Sequence, residues 1–138
     1  MPSVRLEIAT RADREFLEIT ALVRKAVRAR GLRDGAVLVY SPHTTAGIAI
    51  QENADPDVTR DLLLALEQAV PDSPPRGRWL HGEGNTPAHA KTLFTGCSAL
   101  VPVEDGDLAL GRWQGIFLCE FDGPRSREVC LRFLADAA

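Results

Sequence analysis

The chain is sparing with cysteine, histidine and uninterrupted apolar sequence, and each scarcity removes a class of protein. Its 138 residues include three cysteines, Cys97, Cys119 and Cys130. Their odd number, wide spacing and lack of a CxxC pattern exclude a disulfide framework and a cysteine-based zinc knuckle. Cys97 and Cys130 are expected as reduced, mostly buried thiols. Cys119 is left open, because Glu120 and a charged loop follow it. No apolar run approaches the roughly 18–20 residues that span a bilayer. The N-terminus lacks a basic segment leading into an apolar one, so the expectation is a cytoplasmic protein with no membrane partner. A net charge of -3 and a pI ≈ 5.6 give no basic surplus for nucleic acid. P-loop and HExxH patterns are missing, as are internal repeats.

What remains is an ordinary globular composition, 45% hydrophobic and 25% charged, which suits one domain over residues 1–138. Val4 to Ile8 alternates apolar and polar, the period of a strand, and Phe16 to Ile19 resumes it, so a hairpin is expected to open the chain. Leu22, Val23, Ala26 and Val27 recur at helical spacing, with Thr20 as the expected N-cap and Gly31 as the stop. Ala36 to Tyr40 is a continuous apolar run, the mark of a strand covered on both faces. Residues 47–52 form another strand. Asp55 and Pro56 start a helix whose apolar face runs from Val58 to Val70. Thr86 and Pro87 start a third, stopped by Gly96. Strands follow at 98–103, 108–110, 116–121 and 127–134, with an Asp105-Gly106 turn between the first two, and they read as an antiparallel meander. The fold class is α+β: a mostly antiparallel β-sheet sandwich with about three helices packed on it.

Histidine is used three times, and every instance falls in turn-rich sequence. His43 lies in Ser41-Pro42-His43-Thr44-Thr45-Ala46-Gly47. His81 and His89 flank a loop loosened by Gly82 and Gly84 that holds Glu83 and Asn85. Imidazole titrates near neutrality and ligates Zn²⁺ and related ions, so His43, His81 and His89 are candidate metal ligands or acid/base groups, completed by Glu83 or Glu52. A turn histidine bonded to backbone is the ordinary alternative. The starts of the second and third helices, at Asn53 and Asn85, suit an anion, and Thr44, Thr45, Lys91 and Arg125 extend that reading to phosphate. Caps and turn formers are the commoner fate of such residues. In Gly111-Arg112-Trp113-Gln114-Gly115, Trp113 is suited to stack on a flat ring and Gln114 to bond its edge, unless Trp113 fills a bulge. Glu120 ends an apolar strand and suits a site rim, while Asp122 reads as a solvated turn charge.

Five motifs occur in one order: Ser41 to Gly47, Glu52 to Asp57, the His81…Glu83-Gly84-Asn85…His89 cluster, Leu110 to Gln114, and Glu120 to Arg125. This set resembles the YjbQ family of secondary thiamine-phosphate synthase enzymes, over about Phe16 to Leu134. Arg112 and Gln51 depart from the usual pattern without removing a candidate catalytic group. The resemblance implies a homotrimer with sites near subunit boundaries. It also implies a transferase acting on small phosphorylated heterocycles, joining a hydroxymethylpyrimidine diphosphate to a thiazole phosphate. Pyrophosphate release ordinarily calls for Mg²⁺ held by carboxylates, whereas three histidines point to Zn²⁺, Mn²⁺ or acid/base work. A metal-dependent hydrolase and a non-enzymatic phosphate- or nucleotide-binding trimer are the other classes open to it.

Overall fold

The computed structural model describes residues 3–137. The chain order is β1 (Val4–Ala9), β2 (Glu15–Glu18), α1 (Thr20–Arg30), β3 (Gly35–Tyr40), β4 (Ala46–Glu52), α2 (Pro56–Ala69), α3 (Thr86–Thr95), β5 (Ser98–Glu104), β6 (Asp107–Leu108), β7 (Gln114–Glu120) and β8 (Ser126–Ala135). The strands make two sheets, β1-β8-β3-β5-β6 and β2-β7-β4. Every pairing within them is antiparallel. No helix among the described residues is long and apolar enough to cross a membrane.

The period-two pattern explains the layers. One phase of β3, β5 and β8 places Val37, Val39, Val101, Val103, Val129, Leu131 and Phe133 in a core shared with Val23 and Val27 of α1 and with Ile48, Ile116 and Leu118 of the small sheet. The other phase of β7 places Phe117 and Cys119 in a second core, with Phe121 and Ala88, packed against Phe16, Leu63 and Leu66. The layers therefore run large sheet, core, small sheet, then α2 and α3.

Several sequence expectations change. The opening hairpin does not form, because β1 pairs with β8 and β2 with β7. The turn at Thr10 carries the chain from one sheet to the other, held where Thr10 N–H donates to Arg125 O at 3.0 Å. The meander is likewise split: β5 and β6 form the expected hairpin, whereas β7 lies in the other sheet from β6 and β8. The strand covered on both faces is β7, where Gly115 to Glu120 are all buried, while β3 exposes Tyr40. Cys97 is exposed rather than buried, and Cys119 is sealed. Burial alone raises the Cys119 thiol well above its ordinary value, so it is inert as a nucleophile.

Helix ends follow local chemistry. Asp55 caps α2 by accepting from Asp57 N–H at 2.9 Å, with Pro56 in the first turn. Gly31 closes α1 in the left-handed conformation, φ 72°. The expected caps at Thr20 and Thr86 instead open the first turns of α1 and α3, after Ile19 and Asn85. Gly47 is required by packing. A Cβ there would meet Thr95 Oγ1 at 2.1 Å and Gly96 O at 2.4 Å, so only glycine lets the end of α3 close on β4.

Candidate functional site

The histidine-bearing recess is built by the start of α3. His81, in the preceding loop, hydrogen-bonds through Nδ1 with Thr86 Oγ1 at 3.1 Å, which fastens its ring to the first turn of the helix. His89 is on the same helix face one turn later. The two imidazoles meet edge to face, centroids 5.4 Å apart. With Thr86 they line a recess of about 240 Å3. An adjoining recess of about 480 Å3 shares Thr86 and His89 and adds Thr44, Ala90, Thr92 and Leu93. Glu83 is exposed, its carboxylate 3.9 Å from His81 Nε2. The structure thus brings together His81, His89, Glu83 and Thr44.

His43 is engaged elsewhere. Its Nε2 accepts the Glu128 backbone N–H at 2.9 Å, which pins the loop before β4 onto β8. Burial, and then the Arg127 charge, hold this imidazole below its ordinary pKa. It is a neutral ring with the proton on Nδ1. That bond uses the Nε2 lone pair a metal would need. Among the described residues no group of three or more His, Cys, Asp or Glu side chains is set to hold a metal ion. The three-imidazole centre expected for a metal such as Zn²⁺ or Mn²⁺ is therefore not assembled among the described residues.

Beside this loop lies a buried ionic knot that unites the two sheets. Glu120 ends β7 and is fully buried; Arg127 begins β8 and is 3% exposed. Arg127 donates to Glu120 through Nε at 2.7 Å and Nη2 at 2.5 Å, and to Thr45 Oγ1 at 2.9 Å. Thr10 and the Asp122 N–H donate to the same carboxylate at 3.0 and 2.9 Å. Burial pushes the Glu120 carboxyl up, but these bonds and the Arg127 charge outweigh it and leave it below the usual carboxylate range. Glu120 and Thr45, expected at a ligand, hold the scaffold instead. Arg127 was legible in sequence as an arginine in the same strand phase as Val129, Leu131 and Phe133, a position that requires a buried partner.

The other candidates fall into separate places. Arg125 donates to Asp122 from Nη2 at 2.8 Å and from Nε to the Asp122 carbonyl at 2.7 Å. The same Asp122 carboxylate accepts from Asn85 Nδ2 at 2.9 Å, so Asp122 organises a turn rather than being merely solvated. Lys91 is two residues from His89 and so faces away from it, buried to 1% exposure. Burial, then the Arg14 charge, lower its pKa. Glu52, Asn53, Trp113 and Gln114 cluster at the far end of the small sheet. Glu52 pairs with Gln114, while Ala46, next to Thr45, pairs with Glu120. Six strand steps separate those ends, roughly 20 Å. Trp113 is 54% exposed, with the Arg112 guanidinium 4.9 Å from its ring centre. Asn53 donates to Glu18 at 2.8 Å, and Gln114 accepts from Gly111 N–H at 2.8 Å.

The helix starts offer less to an anion than their sequences imply. Asp55 already places a carboxylate at α2. At α3, Pro87 has no N–H, and those of Ala88 and His89 turn back to Asn85 O at 3.0 and 3.3 Å.

The model of the UPF0047 protein YjbQ-like family matches residues 4–136. The chain belongs to that family. It is 46% identical to UPF0047 protein YugU of Bacillus subtilis over 129 residues, covering 94% of this chain and 96% of that protein. Among solved structures, a YjbQ/UPF0047 family protein of Clostridium acetobutylicum superposes with a TM-score of 0.90 at 47% identity, over 95% and 99% of the two chains. A hypothetical protein of Aeropyrum pernix K1 gives the same TM-score at 33% identity, over 99% and 100%. This member of the family carries two clusters at opposite ends of its small sheet, one with the paired imidazoles and one with an exposed tryptophan.

Proposed function

We propose that the chain is a transferase that joins a hydroxymethylpyrimidine diphosphate to a thiazole phosphate and releases pyrophosphate. The observation that supports this most is the edge-to-face His81–His89 pair opening on a recess at the start of α3. In the reaction the thiazole nitrogen lone pair bonds to the pyrimidine methylene carbon. The electrons of the broken C–O bond leave with pyrophosphate. An imidazole of the pair delivers a proton to that leaving oxygen. The Thr44 and Thr86 hydroxyls donate to phosphate oxygens, and the α3 macrodipole adds partial positive charge.

The far cluster supplies the heterocycle contacts in this reading. Trp113 stacks on the pyrimidine, Gln114 bonds its edge, and Glu52 and Asn53 bound the space beside it. The roughly 20 Å between the ends is spanned by a second copy of the chain. In a closed homotrimer the recess of one copy faces the Trp113 end of the next.

The test is product formation by purified protein supplied with both precursors and Mg²⁺. Thiamine phosphate should accumulate, and His81→Ala or His89→Ala should slow it by about 100-fold or more, the typical worth of an acid/base group. Product no faster than in those variants would overturn the reading. A phosphoester hydrolase is the second reading. It is favoured by the Glu83 carboxylate 3.9 Å from His81 Nε2, which would orient that ring toward a water. Inorganic phosphate released from simple monoesters, with no transfer product, would select it.

A further inference from the structure

Among the described residues, the buried side-chain polar atoms without a hydrogen-bond partner are Arg14 Nε, Asn85 Oδ1 and Lys91 Nζ. Native structures leave few such atoms, and each calls for an explanation. Two of them, on Arg14 and Asn85, border one cavity, and Lys91 lies behind its wall. That cavity, of about 330 Å3 and away from the histidine recess, is lined by Asp13, Arg14, Asp72, Asn85, Ala88 and Asp122 among others. Arg14 and Asn85 therefore border it directly. Lys91 lies behind Pro87 and Ala88 on one face of α3, three and four residues on. Helical side chains lean back toward the N-terminus, so the Lys91 stem runs toward the wall that Pro87 and Ala88 give the cavity. The charged groups acting on its amine are Arg14, Glu67, Asp72 and Asp13, three of which line the cavity.

The choice of residue adds to this. Of sixteen basic side chains, only Lys25 and Lys91 are lysines; the rest are arginine. Lys25 is exposed, whereas Lys91 is the largest fully buried side chain. A guanidinium cannot give up its proton in a protein, whereas a desolvated amine can and then becomes a nucleophile. The remaining groups define what would reach it. Arg14 spends both terminal nitrogens on Glu67 and Asp72, at 2.6 and 2.7 Å, and keeps Nε to donate. Asn85 donates to Asp122 and keeps Oδ1 to accept. A hydroxyl satisfies both, accepting from Nε and donating to Oδ1. The carboxylates of Asp13, Asp72 and Asp122 disfavour an anionic ligand and suit further hydroxyls.

We propose that this cavity binds a small, uncharged α-hydroxy aldehyde or ketone, which condenses with Lys91 to an imine. The amine lone pair forms the C–N bond. The carbonyl oxygen departs as water, carrying both amine protons, so no outside oxidant or reductant is needed. The volume is at the small end of ligand cavities and suits a compound of about three to five carbons.

Trapping tests this on the intact wild-type chain. Protein is incubated with glyceraldehyde and sodium cyanoborohydride, whose hydride reduces an imine to a stable secondary amine, and the adducts are located by peptide mass mapping. Lys25 and the N-terminal amine serve as internal controls. The expected result is labelling of Lys91 that saturates with glyceraldehyde and runs about tenfold faster than Lys25, reflecting a held carbonyl. Propanal, which lacks the hydroxyls, should show no such preference, and Lys91→Arg should retain only the control adducts. Labelling of Lys91 no faster than Lys25, or equal with propanal, overturns the proposal. The readout is independent of any transferase activity.

Discussion

Replacing Arg127 by methionine tests the knot that joins the two sheets. Arg127 gives Glu120 two charge-assisted bonds, at 2.7 and 2.5 Å, and Thr45 a third at 2.9 Å. Methionine fills much of the stem volume but leaves the carboxylate only the Thr10 hydroxyl and the Asp122 N–H. Removing one partner of a buried pair costs about 3–5 kcal/mol. For a chain of this length each kcal/mol is worth roughly 3–5 °C, so Tm should fall by roughly 9–25 °C. Far-UV circular dichroism melts and urea titrations read this directly. Glu120→Leu combined with Arg127→Met removes both charges and should recover most of the loss. The pH response carries its own sign. With the folded Glu120 carboxyl held low, its stabilisation is present above the unfolded value near 4.3 and lost as pH falls through the folded value. Without Arg127 the carboxyl rises above 4.3, so stability should instead decline as pH increases from 4 towards 7. A loss below about 1 kcal/mol, or a double variant no better than the single one, would refute the reasoning.

His43 gives a second pH signature. Its folded pKa is depressed, so its contribution is present above the unfolded value near 6.5 and lost as pH falls through the folded one. His43→Leu should flatten the dependence of Tm between pH 7.5 and 5; an unchanged slope would remove His43 as its source. Gly47→Ala forces a methyl group into Thr95 and Gly96 and should cost about 1–3 kcal/mol. A urea midpoint equal to that of the parent would show that α3 does not close on β4 as described.

Much of the element pattern could be read from periodicity, because alternating valines and helical leucines report which face is buried. Pairing could not. Val4 to Ile8 and Phe16 to Glu18 look like the arms of a hairpin, yet the Thr10 turn hands the chain to a different sheet. Nothing in either strand names β8 or β7 as its partner. The His81–Gly–Glu–Gly–Asn–His89 stretch was legible as a site because its residue types are costly in a plain turn. Its separation from Trp113 was not, since it follows from which ends of β4 and β7 face one another. Lys91 shows the limit most clearly. Its sequence neighbours His89 and Asn85 suggest one phosphate site, but a two-residue offset on a helix turns it to the opposite side.

The central claim is that the histidine recess and the Trp113 end act on one substrate across neighbouring copies. His89→Ala and Trp113→Ala chains, differently tagged, can be co-expressed and the mixed oligomers isolated. Each variant alone should make almost no thiamine phosphate. In a closed trimer that holds both variants, one site in three pairs an intact recess with an intact Trp113 end, so the isolated mixed trimers should recover about a third of the parent activity. Mixed oligomers that remain as inactive as the two parents would contradict the account.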